Sequence, residues 1–225
     1  QAVKDIYNEQ KSVTRTTDYR RSILNWSGKL QTSFNEAQQA ALEITSKVKR
    51  PVRREGIVNW IEAAGDQQVL QQRLAATQAW LDPVTGKAHP QRRNLIKGYE
   101  AALNLTPDEL AVAGDVKQAF DVLGQRGQSE DVLTNFRENY VTHIWNTKRG
   151  PGGGGGSRML KDKFRFNKAR TFATFFDGEQ AGYVSKTKDI SKILPAYIVE
   201  MNSVIASRQL VAQMAKGKGS DGRPL

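Results

Sequence analysis

Apolar residues recur every three or four positions between Asp18 and Val48, which is the spacing of one face of an α-helix. The apolar positions are Ile23, Trp26, Leu30, Phe34, Ala37, Ala41, Ile44 and Val48. Thr17 and Asp18 are residue types that cap the start of a helix, and Pro51 prevents this helix from running on. The pattern therefore predicts one long amphipathic helix. Because helices gain most of their stability from tertiary packing, its apolar face is expected to contact a neighbouring element.

Turn and capping residues divide the next part of the chain into shorter helices. Pro51 suits the first turn of a second helix, which Gly65 can end in a left-handed conformation. Asp66 can cap a third helix, and helices two and three are expected to form an antiparallel hairpin. The remaining signals predict a fourth helix from about Pro90 to Leu105, a fifth from Thr106 to about Gly124 and a sixth from Ser129 to about Tyr140.

The C-terminal part of the sequence combines one non-helical segment with a second long helix. Aromatic and β-branched residues flank Asp177 and Gly178 in TFATFFDGEQAGYV, at 171 to 184, which is typical of a short hairpin or tight turn. Apolar residues then recur at helical spacing from Ile190 to Met214. Pro195 either kinks this helix or stands in its first turn.

These elements predict an all-α, helix-bundle-like fold in which the last helix packs back onto the bundle. We divide the chain into a helical bundle domain at 1 to 139, a basic, glycine-rich connector at 140 to 170, a hairpin or turn plus the C-terminal helix at 171 to 216, and a disordered tail at 217 to 225.

The composition is that of a basic globular protein. Of its 225 residues, 34 are Lys or Arg and 23 are Asp or Glu, so the formal net charge is +11 and acidic partners such as nucleic acid are favoured. The sequence has no cysteine, which excludes disulfides, thiolate metal sites and cysteine nucleophiles. It also has no apolar run of membrane-spanning length, and its N-terminal residues are too polar for a signal peptide.

Positive charge is concentrated between Lys148 and Arg170, where eight of the nine charged residues are basic and five consecutive glycines occur. The glycines at 152 to 156 are interpreted as a flexible linker, because a glycine run satisfies dinucleotide-loop patterns trivially. Basic and aromatic side chains in the second half of the stretch could contact phosphates and stack on unpaired bases. These residues are Arg158, Lys161, Lys163, Phe164, Arg165, Phe166, Lys168 and Arg170. Alternatively, the phenylalanines pack in a core and the charges face solvent.

No catalytic or metal-binding pattern is visible in the sequence. His89 and His143 are the only histidines, and neither has a carboxylate at helical spacing. The acidic pairs Asp108/Glu109 and Glu130/Asp131 stand in predicted first turns of helices, where capping explains them. We therefore expect no enzymatic activity within these residues, no metal and no cofactor.

Three segments carry a family resemblance: RREGIVNWIEAAGD at 53 to 66, ENYVTHIW at 138 to 145 and KARTFATFFDGEQAGYVSKTKDISKIL at 168 to 194. They resemble helical regions of the large polyvalent proteins, which are very long polyproteins of bacteriophages and prophages. The resemblance implies a module of a longer chain that carries catalytic domains elsewhere, and it assigns no role to any residue. It also implies a location in the bacterial cytoplasm or the virion.

Two functions are therefore expected from the sequence. The first is a non-catalytic structural or interaction module of a larger phage-associated polyprotein, whose partners are other domains of the same polypeptide or phage proteins. The start at Gln1 and the end in SDGRPL are consistent with such a fragment. The alternative is a module that binds single-stranded DNA or RNA through residues 158 to 170. A membrane partner is not expected, because the polar face of the first helix mixes glutamates and glutamines with lysine.

Overall fold

The computed structural model describes residues 2–82, 85–133, 141–145, 172 and 174–216, with side chains described from Tyr19 onward. In these ranges the chain forms seven helices and one two-stranded antiparallel sheet. The elements are α1 (Ala2–Lys47), α2 (Pro51–Glu62), α3 (Gln67–Ala79), α4 (Arg92–Leu103), α5 (Pro107–Ser129), β1 (Ile144–Trp145), α6 (Phe175–Gln180), β2 (Ser185–Thr187) and α7 (Ile190–Lys216). The predicted all-α fold is confirmed. The expected disorder of 217 to 225 concerns residues outside the described ranges.

The two longest helices, α1 and α7, pack against each other in antiparallel directions. Trp26 donates a hydrogen bond to Ser207, whereas Phe34, further along α1, lines a groove together with Pro195 near the start of α7. The C-terminal helix therefore packs back onto the bundle as predicted, and Pro195 lies inside it. The predicted start of α1 is wrong, since the helix continues upstream through Asp18. No glycine or proline occurs in that upstream part, so nothing there breaks the helix.

The hairpin predicted for the second and third helices is wrong, because α4 packs along both of them and they have no extensive contact with each other. Ala64 and Gly65 both adopt left-handed conformations, with φ of 53° and 74°, and redirect the chain after α2. Gly56 allows α2 to approach α4 closely, since a Cβ atom there would lie 2.9 Å from Cβ of Ala101. Asp66 caps α3 as predicted by accepting hydrogen bonds from two backbone N–H groups.

The predicted boundary near Gly124 is also wrong, because α5 continues to Ser129. Gly127 is buried inside the helix, and a Cβ atom there would lie 2.9 Å from Sδ of Met201 in α7. Gly127 therefore permits close packing of α5 on α7 and does not end the helix. The sixth helix predicted from Ser129 does not begin there, since Glu130 caps the end of α5. The rest of that prediction, 134 to 140, lies outside the described residues.

A short helix lies where the hairpin or tight turn was expected. Thr174 and Asp177 form a reciprocal capping box that starts α6, so Asp177 belongs to a first helical turn. The helix joins two buried clusters through neighbouring side chains. Phe175 packs in the main core with residues of α1, α2, α5 and α7, while Phe176 packs with the α3–α4 cluster around Tyr99. This placement ties the C-terminal third of the chain to both halves of the helical bundle.

The carboxylate of Glu109 links the start of α5 to α2. Glu109 accepts a hydrogen bond from the backbone N–H of Thr106, completing a capping box, and it forms a two-pronged ion pair with Arg53. Arg53 also donates to the backbone oxygens of Ala101 and Asn104 at the end of α4. Hydrogen bonding from Arg53 lowers the pKa of Glu109 to about 2, although burial of the carboxylate acts to raise this pKa.

This ion pair predicts a pH dependence of stability. Because the folded-state pKa of Glu109 lies near 2, below its ordinary value of 4.5, its stabilising effect is present above pH 4.5 and is lost as the pH falls towards 2. Glu109→Gln keeps the capping box and removes the charge, so we expect it to lower the free energy of unfolding by about 1 kcal/mol at neutral pH, given solvent screening. Urea unfolding between neutral pH and pH 2 should show this difference disappearing. A difference that is constant with pH would contradict the assignment.

Candidate functional site where three distant segments meet

Polar and aromatic side chains from three distant parts of the chain converge between α2, α6 and the small sheet. The first part is α2 from Arg54 to Glu62, the second is 141 to 145, and the third is 174 to 189. The sheet brings the last two together, because Ile144 pairs with Thr187 and Trp145 pairs with Ser185. We call this region the junction.

At the centre of the junction, Glu62 and His143 form a buried hydrogen-bonded pair. Nε2 of His143 lies 2.6 Å from Oε1 of Glu62, and the two side chains are 6% and 2% exposed. The backbone N–H of Phe175 donates to both carboxylate oxygens at 3.3 Å. Glu62 thus connects the end of α2 to the strand segment and to the start of α6. A carboxylate buried to this degree requires such donors.

A second carboxylate, Glu179 of α6, is held by Ser185 and Lys188. The Ser185 hydroxyl and the Lys188 ammonium donate to its two oxygens, each at 2.8 Å. Lys188 Nζ also lies 3.9 Å from Oε1 of Glu55 on α2. Burial raises the pKa of Glu55; Lys188 acts to lower it, and the negative charges of Glu179 and Asp189 act to raise it. One buried ammonium therefore joins α6 to α2.

A further pair, Arg54 of α2 and Asp189, links the start of α7 to α2 and to the turn before it. Arg54 donates to both oxygens of Asp189 at 2.8 and 2.9 Å, and it also donates to the backbone oxygens of Val48 and Lys49. Asp189 accepts from the backbone N–H and the hydroxyl of Ser191, in the first turn of α7. Burial acts to raise the pKa of Asp189, but the hydrogen bonds from Arg54 and Ser191 prevail and keep it below its usual range.

Aromatic rings cover one side of the junction, around Trp145 and Phe172. The rings of Trp145, Phe172 and Tyr183 contact one another with centroid distances of 5.0 to 5.9 Å. Trp145 also packs on Phe175 at 5.4 Å. The Trp145 ring lies directly on Gly178 of α6, where a Cβ atom would overlap it. These rings hold together Trp145 and Phe172, the described residues on either side of 146 to 171.

The chemistry of the junction is that of carboxylates paired with hydrogen-bond donors. Glu62, Glu179 and Asp189 each accept at least two hydrogen bonds from groups on other segments or turns. In the part of the chain that the structure describes, no three His, Asp or Glu side chains are grouped so that they could hold a metal ion. In the same part, no helix has both the length and the apolar composition needed to cross a membrane.

The sequence-predicted nucleic-acid residues lie outside the described ranges. They are Arg158, Lys161, Lys163, Phe164, Arg165, Phe166, Lys168 and Arg170. The nearest described residues on either side of this segment are Trp145 and Phe172. The glycine run at 152 to 156 also lies outside the described residues, so the linker interpretation stays a prediction.

Sequence reasoning missed the junction, because its contacts join residues far apart in the chain. His143 has no carboxylate at helical spacing, but Glu62, 81 positions away, is its partner. One signal was present in the sequence. Every side chain of the pairs Glu62–His143, Glu179–Lys188 and Arg54–Asp189 falls within one of the three segments quoted above for the family resemblance.

Comparisons of the chain with known protein families, with curated proteins and with solved structures gave no match. The resemblance to large polyvalent proteins therefore stays a prediction.

Proposed function

We propose that the chain is a non-catalytic interaction module of a larger, phage-associated polyprotein. The observation that carries the proposal is the use of the buried ionisable groups at the junction. Glu62–His143 and Arg54–Asp189 join residues 81 and 135 positions apart, and Lys188 links Glu179 to Glu55 on α2, which is a structural task. A catalytic base needs access to a substrate proton, whereas Glu62 and His143 are nearly inaccessible to solvent.

An interaction module also needs an exposed surface that the chain itself does not use. The groove between α1 and α7 has this property, because it is open to solvent and lined mainly by apolar side chains. Phe34 stands at its edge with 51% of its surface exposed. A contiguous apolar groove of this kind marks a contact surface more often than a single exposed leucine does.

Two measurements test this proposal. The isolated chain is expected to release no phosphate from nucleoside triphosphates and no fragments from DNA or RNA, with or without Mg²⁺ or Mn²⁺. Metal-dependent hydrolysis that survives purification would overturn the non-catalytic assignment. Hydrogen exchange in the peptides spanning 34 to 41 and 195 to 204 is expected to be slower in the parent polypeptide than in the dilute isolated chain. Equal exchange would remove the groove as the contact surface.

A second candidate function is binding of single-stranded nucleic acid by residues 158 to 170. The contact between Trp145 and Phe172, with ring centroids 5.8 Å apart, favours it. This contact brings together Trp145 and Phe172, the described residues on either side of the basic segment. Concentrated positive charge neutralises several phosphates at once, and the nearby rings suit stacking on unpaired bases.

Neutralising the basic residues of this segment tests nucleic-acid binding directly. Neutralising Lys161, Lys163, Arg165 and Lys168 together to glutamine is expected to weaken binding of an oligothymidylate at least about tenfold and to flatten its salt dependence. The matched control neutralises four basic residues elsewhere: Arg20, Arg21, Lys29 and Lys97. Fluorescence anisotropy at several salt concentrations measures both variants. Equal loss in the two variants would show that only the net charge matters, and unchanged affinity in the first would remove this function.

A further inference from the structure

In the part of the chain that the structure describes, α1 and α7 form a face with an apolar groove that is open to solvent. Its groove has a volume of about 700 Å³ and is lined mainly by Phe34, Ala37, Ala41, Pro195, Val199 and Val204. Resting on the proposed interaction function, we infer that this groove is a dimer interface that receives a second copy of the same chain through a two-fold axis.

Self-complementarity of the face supports a second copy as the occupant. A two-fold interface uses the same patch on both partners, so the patch must carry both a protruding group and a recess that fits it. Phe34 supplies the protruding group, with half of its surface exposed. The small side chains of Ala41 and Ala196 supply the recess beside it. Phe34 of each copy inserts beside Ala196 of the other.

The distribution of charge supports the same occupant. The chain carries a net charge of +11, so two copies repel each other over most of their surfaces. Among the described residues that line the groove, Glu200 alone is charged, and no lysine or arginine is present. Depletion of charged residues is the compositional mark of an interface centre. A second copy can therefore approach here without bringing lysines or arginines of the two copies together.

The size of the face predicts a weak, concentration-dependent dimer. From Ile23 to Ala41 the helix α1 extends about 27 Å at 1.5 Å per residue, and two packed helices give a width of about 20 Å. Two such faces would bury about 1,000 Å² in total, which is near the lower limit for specific protein interfaces. Because higher salt screens the repulsion between the copies, it should strengthen the dimer. Phosphate binding has the opposite salt dependence.

Sedimentation equilibrium of the intact chain tests the inference with a matched pair of variants. Phe34→Asp is expected to raise the dimer dissociation constant at least about tenfold, because it places a charge in the interface centre. Leu42→Asp is the control, because Leu42 is 68% exposed on the same helix and does not line the groove. It should leave dissociation unchanged. Circular dichroism and thermal unfolding check that both variants fold.

Cysteine cross-linking provides the second measurement, since the chain has no cysteine of its own. A tagged Phe34→Cys chain mixed with an untagged Ala196→Cys chain is expected to form a disulfide between the two copies, and Leu42→Cys in place of Phe34→Cys is expected to form none. A wild-type chain that stays monomeric at submillimolar concentration would overturn the inference, as would equal dimerisation by Phe34→Asp. If the isolated chain is monomeric but the groove is protected in the parent polypeptide, the interaction function stands and the second copy is excluded.

Discussion

Replacement of Glu62 by alanine is expected to lower the free energy of unfolding by about 3 kcal/mol or more, because it leaves two buried hydrogen-bonding groups unsatisfied at about 1–3 kcal/mol each. The side chain of Glu62 is 2% exposed, and its oxygens accept hydrogen bonds from His143 and from the backbone N–H of Phe175. Alanine would leave both groups without this acceptor inside the protein. Urea denaturation followed by circular dichroism measures the change.

Two further variants distinguish the effect of losing the buried Glu62 contacts from the effect of removing any glutamate. Glu100→Ala removes an exposed glutamate from α4 and is expected to change the free energy of unfolding by less than about 0.5 kcal/mol. Glu62→Gln retains an acceptor oxygen and should fall between the two, since a neutral hydrogen bond is weaker than a charge-assisted one. Equal effects of Glu62→Ala and Glu100→Ala would show that the junction does not depend on this pair.

Local physical signals were sufficient to predict much of the fold. Pro51, Asp66 and Thr106 mark helix starts in the sequence, and the structure places helices at all three. Each signal acts within one turn of the helix that it starts, so the sequence shows both the cap and the element. The long amphipathic stripe likewise predicted that α1 needs a partner, which is α7.

Several of the errors concern residues whose role is set by a neighbour that is distant in the sequence. Gly124 marks a helix end by local rules, but α5 continues to Ser129, and the missing side chain of Gly127 accommodates Met201 of α7. Asp177 and Gly178 match a turn pattern, but Asp177 closes a capping box and Gly178 accommodates Trp145. Glu62 and His143 lie 81 residues apart, so no spacing rule connects them. A single sequence reveals a glycine but not which partner approaches it.

The glycine beneath Trp145 leads to the second large expected effect. Gly178→Ala is expected to lower the free energy of unfolding by about 1–3 kcal/mol, the usual cost of overpacking a filled site. Its Cβ atom would overlap the indole ring and would lie 3.1 Å from Cδ2 of Phe172. The ring would have to move, which disturbs its contacts with Phe172, Phe175 and Tyr183. Urea denaturation measures the loss.

Gly114→Ala is the matched control, because Gly114 also lies in a helix and a Cβ atom there would have no neighbour within 4 Å. Alanine at this position should stabilise the chain by up to about 1 kcal/mol through its higher helix propensity. The two glycine-to-alanine substitutions are therefore expected to change the free energy of unfolding in opposite directions. The double variant Gly178→Ala with Trp145→Leu should cost less than the sum of its parts, since the smaller side chain removes the overlap. Strict additivity would show that Gly178 is needed for a reason other than the placement of Trp145.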